Sequence, residues 1–179
     1  MGRAKMIYTL EESAGWLDVL EGFVLDEMEI ARLFFASSER EAYRRLFDQV
    51  RQLGRKREVP FSILMDIKET NETKEKVQED ILFGIKEKVD YVTVSCIYSG
   101  KEVKNVRKLL DKNGGANIGL IVKIEEEQEN YELDAILKMA DGIMLENKPC
   151  VLQKEMMKKA YDAGKMMITT TQLLDFRRA

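Results

Sequence analysis

The sequence predicts an α/β protein of about seven strand-then-helix units, the pattern of a (β/α)8 TIM-type barrel truncated by its last unit. Three observations carry the prediction. Short, β-prone apolar segments recur along the chain, helix-length stretches with apolar residues at three- and four-residue spacing separate them, and turns rich in glycine or polar residues fall between. Strands separated by helices pair in parallel through right-handed crossovers, which leaves a barrel first and an open doubly wound sheet second.

Met6–Leu10 is the first strand, and Ser13 stands as an N-cap before Trp16, Leu17, Val19 and Leu20. Ile30–Phe35 is the second strand; Ser38 then caps a helix with Ala42, Leu46, Val50 and Leu53 at helical spacing before Gly54. After Pro60, Phe61–Ile67 is the third strand, and the charged stretch Lys68–Lys76 leads into a helix carrying Val77, Ile81, Ile85 and Val89. Tyr91–Ile97 is the fourth strand, with Val103, Val106, Leu109 and Leu110 on its helix and Asn113-Gly114-Gly115 as the closing turn. Ile118–Ile124 is the fifth strand and feeds a helix around Leu133, Ile136, Leu137 and Ala140. Gly142–Leu145 is the sixth, Met156 and Ala160 lie on its helix, and Met166–Thr171 is the last.

A chain of 179 residues is long enough for one substantial core, so a single domain over 1–179 is expected. Hydrophobic residues at 45% and charged residues at 34% describe a folded chain with a solvated surface. The net charge of -3, with bases and acids interleaved, argues against a nucleic-acid partner. No apolar run approaches bilayer length and Met1–Tyr8 lacks the apolar segment of a signal peptide, so a cytoplasmic protein without a membrane partner is expected. Cys96 and Cys150 have no CxxC spacing and read as free core thiols, and the ten methionines read as core filler. With no histidine in the chain, Ser-His-Asp hydrolysis, Cys-His nucleophilic catalysis and histidine-ligated metal centres are excluded.

In a parallel α/β fold the loops after the strands face the functional side, so polar residues at strand ends are the first site candidates. Lys123 and Glu125 stand two apart at the end of the fifth strand and therefore share one face. On the residues alone, a rim ion pair and a functional site are equally good readings. Arg32 alone reads as a surface cation, Thr171 as an ordinary β-branched strand residue, and the run Glu125–Glu129 as a solvated helix start. The Asn113-Gly114-Gly115 turn precedes a strand, so it is not a phosphate loop.

Seven segments in order carry a resemblance. Lys5-Met6-Ile7-Tyr8-Thr9-Leu10 is similar to K-I-V-C-T-I, Ala31-Arg32-Leu33-Phe34-Phe35-Ala36-Ser37 to A-R-L-N-F-S-H, Asp66-Ile67-Lys68 to D-T-K, and Ser95-Cys96-Ile97 to S-F-I. Val122-Lys123-Ile124-Glu125 is similar to S-K-I-E, Ala140-Asp141-Gly142-Ile143-Met144-Leu145 to S-D-G-I-M-V, and Thr170-Thr171-Gln172-Leu173-Leu174 to A-T-Q-M-L. These are motifs of the catalytic barrel of pyruvate kinase, and the chain resembles that family along almost its whole length. The resemblance implies a barrel of the phosphoenolpyruvate/pyruvate type. It also implies roles: Arg32 contacts substrate, Lys123 neutralises the transferring phosphoryl group, Glu125 binds the divalent metal, Thr171 sits beside the enolate, and Asp66 belongs to a monovalent-cation site. Anionic phosphoenolpyruvate and its enolate call for that set of a cation, a metal bridge and a hydroxyl donor.

Departures from the family pattern qualify the implied function. The potassium-binding Asn and Ser of the family are Phe34 and Ala36 here, so Asp66 is a remnant and potassium binding is not expected. G-P-E-I-R is replaced by Glu69-Thr70-Asn71-Glu72-Thr73, and the lid domain that follows in the family is reduced to a short charged loop near 68–76. The arginine after S-F-I is Tyr98, and A-R-G-D-L becomes Glu146-Asn147-Lys148-Pro149-Cys150, with Pro149 at the second metal carboxylate and Glu146 as a substitute ligand. The eighth strand and the carboxyl-terminal domain are expected to be absent. Phosphoryl transfer depends on positioning and charge neutralisation, so the expected function is that of a pseudoenzyme: a degenerate phosphoenolpyruvate/Mg2+ site that binds a small anion or a protein partner without phosphotransferase turnover. The alternatives are a metal-dependent enzyme acting on an enol or keto acid, and an assembly protein using its open barrel edge. Met166–Thr171 is an uncharged, β-prone edge, expected to be covered by a second copy of the chain, or else by residues 173–179 folding back.

Overall fold

The computed structural model describes residues 6–10, 28–35, 40–56, 58–59, 61–67, 73–95, 97–124, 131–146 and 151–170. Ser13, Trp16 and their expected helix, the Ser38 cap, Cys96, Cys150 and the Glu125–Glu129 run lie outside the described residues. The described strands are β1 (Met6–Leu10), β2 (Met28–Phe35), β3 (Ser62–Ile67), β4 (Tyr91–Val94), β5 (Gly119–Ile124), β6 (Gly142–Glu146) and β7 (Met166–Thr170). The described helices are α1 (Arg40–Lys56), α2 (Lys74–Lys86), α3 (Gly100–Lys112), α4 (Leu133–Met139) and α5 (Val151–Asp162). The fold is α/β and of the truncated barrel kind. No described helix is long and apolar enough to cross a membrane.

The chain divides into two compact units, Met1–Val92 with Leu110–Ile118, and Thr93–Leu109 with Gly119–Ala179. In the first, β1 pairs with β2 and β2 with β3, both in parallel. In the second, β5 pairs with β6 and β6 with β7, again in parallel. In neither unit does the strand order reverse, as it would once in a doubly wound sheet. Residues Ile63 to Ile67 of β3 are all buried, and so are Leu120, Ile121 and Val122 of β5. Burial on both faces is the mark of parallel strands covered by helices, and it explains why these segments read as near-continuous apolar runs.

Aromatic packing dominates the core of the first unit: Phe35 stacks on Phe83 with centroids 5.2 Å apart and meets Tyr43 at 4.7 Å. Ion pairs tie α1 to α2, with Arg40 Nη2 3.1 Å from the buried Asp80 and Arg44 Nε 2.9 Å from Glu87. Asp80 was not singled out from the sequence; its carboxylate is 1% exposed and lies against Arg40. In the second unit Gly142 allows close strand approach, since a Cβ there would stand 2.5 Å from the Met166 carbonyl oxygen.

One device recurs in both units at the amino ends of strands. Asp90 accepts from the Ile63 N–H at 2.7 Å while its own N–H donates to the Ile63 carbonyl at 3.0 Å. Asp141 does the same with Leu120, at 2.8 and 2.9 Å. Each aspartate thus locks the entry of its strand to its neighbour. The Asp141 that belongs to the resemblance motif is a register clamp.

Several boundaries differ from the expected ones by a residue or more, three of them instructively. The fourth strand stops at Val94 and not Ile97, because Tyr98 and Ser99 turn their N–H groups to the Glu102 carboxylate at 2.9 and 3.1 Å. The charged stretch ends earlier than Lys76, since α2 already starts at Lys74 behind its N-cap Thr73. Val89 lies beyond α2: Lys88 takes a left-handed φ of 55° and the Val89 N–H returns to the Gly84 carbonyl at 3.1 Å, which ends the helix.

Candidate active site

In the first unit the strand ends carry Arg32 on β2 and Asp66 on β3. Arg32 is 3% exposed and Asp66 is 0% exposed. The register sets Phe34 opposite Asp66, with Arg32 two residues earlier on β2, so all three occupy one face. Arg32 Nε donates to Asp66 Oδ2 at 2.8 Å, and its Nη2 donates to the same oxygen. The guanidinium carbon lies 4.3 Å from the centroid of the Phe34 ring. The reading of Arg32 as a surface cation is therefore overturned. A buried guanidinium needs a carboxylate, and the sequence put that carboxylate 34 residues away.

The described side chains in contact with Asp66 are not those of a monovalent-ion site. Such an ion needs several oxygen donors, whereas the described wall beside Asp66 is a guanidinium and an aromatic ring.

In the second unit Lys123 is half-buried near the end of β5, in register with Met144 of β6. Val122 and Ile124 on either side of it are buried, which anchors the backbone that presents the ammonium group. Glu146 stands two residues past Met144 and pairs in register with Thr170 of β7. By strand parity Lys123, Met144 and Ile168 belong to one face. Glu125, Pro149 and Thr171 lie outside the described residues. Among the described residues no group of three potential metal-ligating side chains comes together.

Two polar side chains were not singled out as site candidates. Thr93 is fully buried on β4, and Ser95 follows just past the end of that strand. The hydroxyl oxygens of both are buried with no hydrogen-bond partner among the described residues. No sequence signal marks a threonine or serine as unsatisfied, because the missing partner is a property of the neighbours.

The end of β4 next to α3 is closed by the chain itself. Ser99 and Glu102 form a reciprocal cap, with the Ser99 hydroxyl donating to Glu102 at 3.0 Å and the Glu102 N–H donating back at 3.4 Å. Glu132 accepts from the Gly100 N–H at 3.1 Å, and Tyr98, at the position of the family arginine, packs on Tyr131 with centroids 5.3 Å apart. Two carboxylates thus occupy the donors that an anion would otherwise use.

The family model described as pyruvate kinase, barrel domain, matches residues 69–178, more than half of the chain. The chain belongs to the pyruvate kinase barrel-domain family. It is similar to the pyruvate kinase of Sporosarcina psychrophila, 40% identical over 112 residues, covering 56% of this chain and 19% of that protein. The pyruvate kinase of Clostridium perfringens is 38% identical over 112 residues, covering 56% of this chain and 23% of its own. That of Agaricus bisporus is 38% identical over 111 residues, covering 56% and 21%. The aligned part of the chain thus spans about a fifth of the length of these relatives. The model match contains Lys123, Glu125 and Thr171 of the pyruvate kinase motifs, and it begins after Arg32 and Asp66.

Proposed function

We propose that this pyruvate kinase-type chain binds a small planar carboxylate anion together with Mg2+ at a degenerate phosphoenolpyruvate site, without turnover as a pyruvate kinase. The observation that carries the reading is Lys123 at the end of β5, with Glu125 two residues on, inside the segment that the family model matches. The Lys123 ammonium would neutralise the anion, Glu125 would hold Mg2+, which would supply further positive charge at the site, and Thr171 would donate a hydrogen bond. Arg32 already spends its guanidinium on Asp66, so anion binding rests chiefly on Lys123. Two departures argue against phosphoryl transfer: only residues 68–73 separate β3 from α2, where the family resemblance places a lid domain, and proline stands at 149. The protein binds the anion by itself or presents the loaded site to a protein partner.

Thermal-shift titration with Mg2+ and oxalate, a planar enolate mimic, tests the reading. Stabilisation that needs both components and disappears in Lys123→Ala and in Glu125→Ala is the expected result. No shift in the parent protein would refute it, as would pyruvate kinase turnover comparable to that of a full-length relative. Turnover of another enol or keto acid with Mg2+ would replace it by a metal-dependent enzyme.

A further inference from the structure

We propose that the guanidinium of Arg32 is itself the resident cation of the Asp66 pocket, with Asp66 as its positioning residue, so that this chain takes no monovalent metal ion there. A fully buried carboxylate requires a counter-charge, and Arg32, 3% exposed, supplies it through two N–H groups directed at one oxygen. The third wall is the Phe34 ring, 4.3 Å from the guanidinium carbon and opposite Asp66 in the β2–β3 register. An aromatic face attracts a weakly hydrated, planar guanidinium, whereas it offers no oxygen to a potassium or sodium ion that must shed its water. Guanidinium, ring and Asp66 Oδ2 therefore form one contact set. A phenylalanine in place of an amide removes an ion ligand and adds a surface for the arginine in a single change.

The assignment concerns the stability of the first unit and is tested without Mg2+ or oxalate, so its outcome is separate from that of anion binding. Melting temperatures of the parent protein are compared in potassium, sodium and tetramethylammonium chloride at equal ionic strength, and equal values are expected. Arg32→Ala leaves Asp66 buried without its guanidinium and should lower the melting temperature by on the order of 10 °C. Methylguanidinium at a non-denaturing concentration should return part of that loss, and potassium at the same concentration should return less. Should Arg32→Ala fail to fold, the double variant Arg32→Met/Asp66→Asn carries the test. It removes both charges together and should be far more stable than Arg32→Met alone. A potassium-specific rise in the parent overturns the proposal. So does rescue of Arg32→Ala by potassium in preference to methylguanidinium, failure of methylguanidinium to rescue a folded Arg32→Ala, or a double variant no better than the single one.

Discussion

The polar strand ends of the two units solve the same problem in opposite ways. At the ends of β2 and β3 two opposite charges are buried against each other, Arg32 on Asp66 Oδ2 and on the face of Phe34. On β4 and β5 the ammonium of Lys123 stands half-buried, and the Thr93 and Ser95 hydroxyls are buried with no partner among the described residues. A strand end whose charges are matched within the fold is a structural element. One whose buried hydroxyls find no hydrogen-bond partner among the described residues is not accounted for in that way. The division follows the family match, which begins at residue 69 and takes in Lys123 but not the Arg32–Asp66 pair.

The sharpest way to break the contrast is to exchange charge for an apolar chain of similar length at each end. Arg32→Met should cost about 3–5 kcal/mol, because it strands a buried carboxylate, whereas Lys123→Met should change stability by less than about 1 kcal/mol. Urea unfolding of the two variants reads the difference, and equal losses would erase the distinction. Next in size are the two register clamps, which should behave alike although the strand ends do not. Asp90→Ala and Asp141→Ala each leave a strand N–H without its acceptor and should each cost about 1–2 kcal/mol in the same assay. The smallest expected effect has the opposite sign. Thr93→Val keeps the shape of the side chain and removes a buried hydroxyl, so stability should rise by about 1 kcal/mol; a fall would mean that the hydroxyl is satisfied in solution and belongs to a bound group.

Much of the architecture was legible because it is periodic. Alternation of β-prone runs with helical spacing located all seven described strands, and Leu46, Val50 and Leu53 lie on the buried side of α1 as expected. Boundaries were less legible where a side chain decided them: Glu102 draws in the N–H groups past Val94, and the left-handed Lys88 ends the helix before Val89. The candidate site divided along the same line. Lys123 was recognisable because strand spacing and the family motif agree within a few residues. The true setting of Arg32 was not, because its partner is far away in sequence and its burial depends on β3 packing beside β2.

By itself, then, the sequence determined the succession of strands and helices, the family, and the exclusion of histidine chemistry. These are properties of local period and residue type, and they hold however the chain is arranged in space. Only the tertiary structure decided which polar groups are buried and which of them have partners. It turned Arg32 from a surface cation into a core ion pair, Asp141 from a motif residue into a strand clamp, and Thr93 from a strand residue into a hydroxyl without a described partner. Burial and partnership belong to pairs of residues brought together by folding, and the energy of a charge or a hydroxyl depends on both.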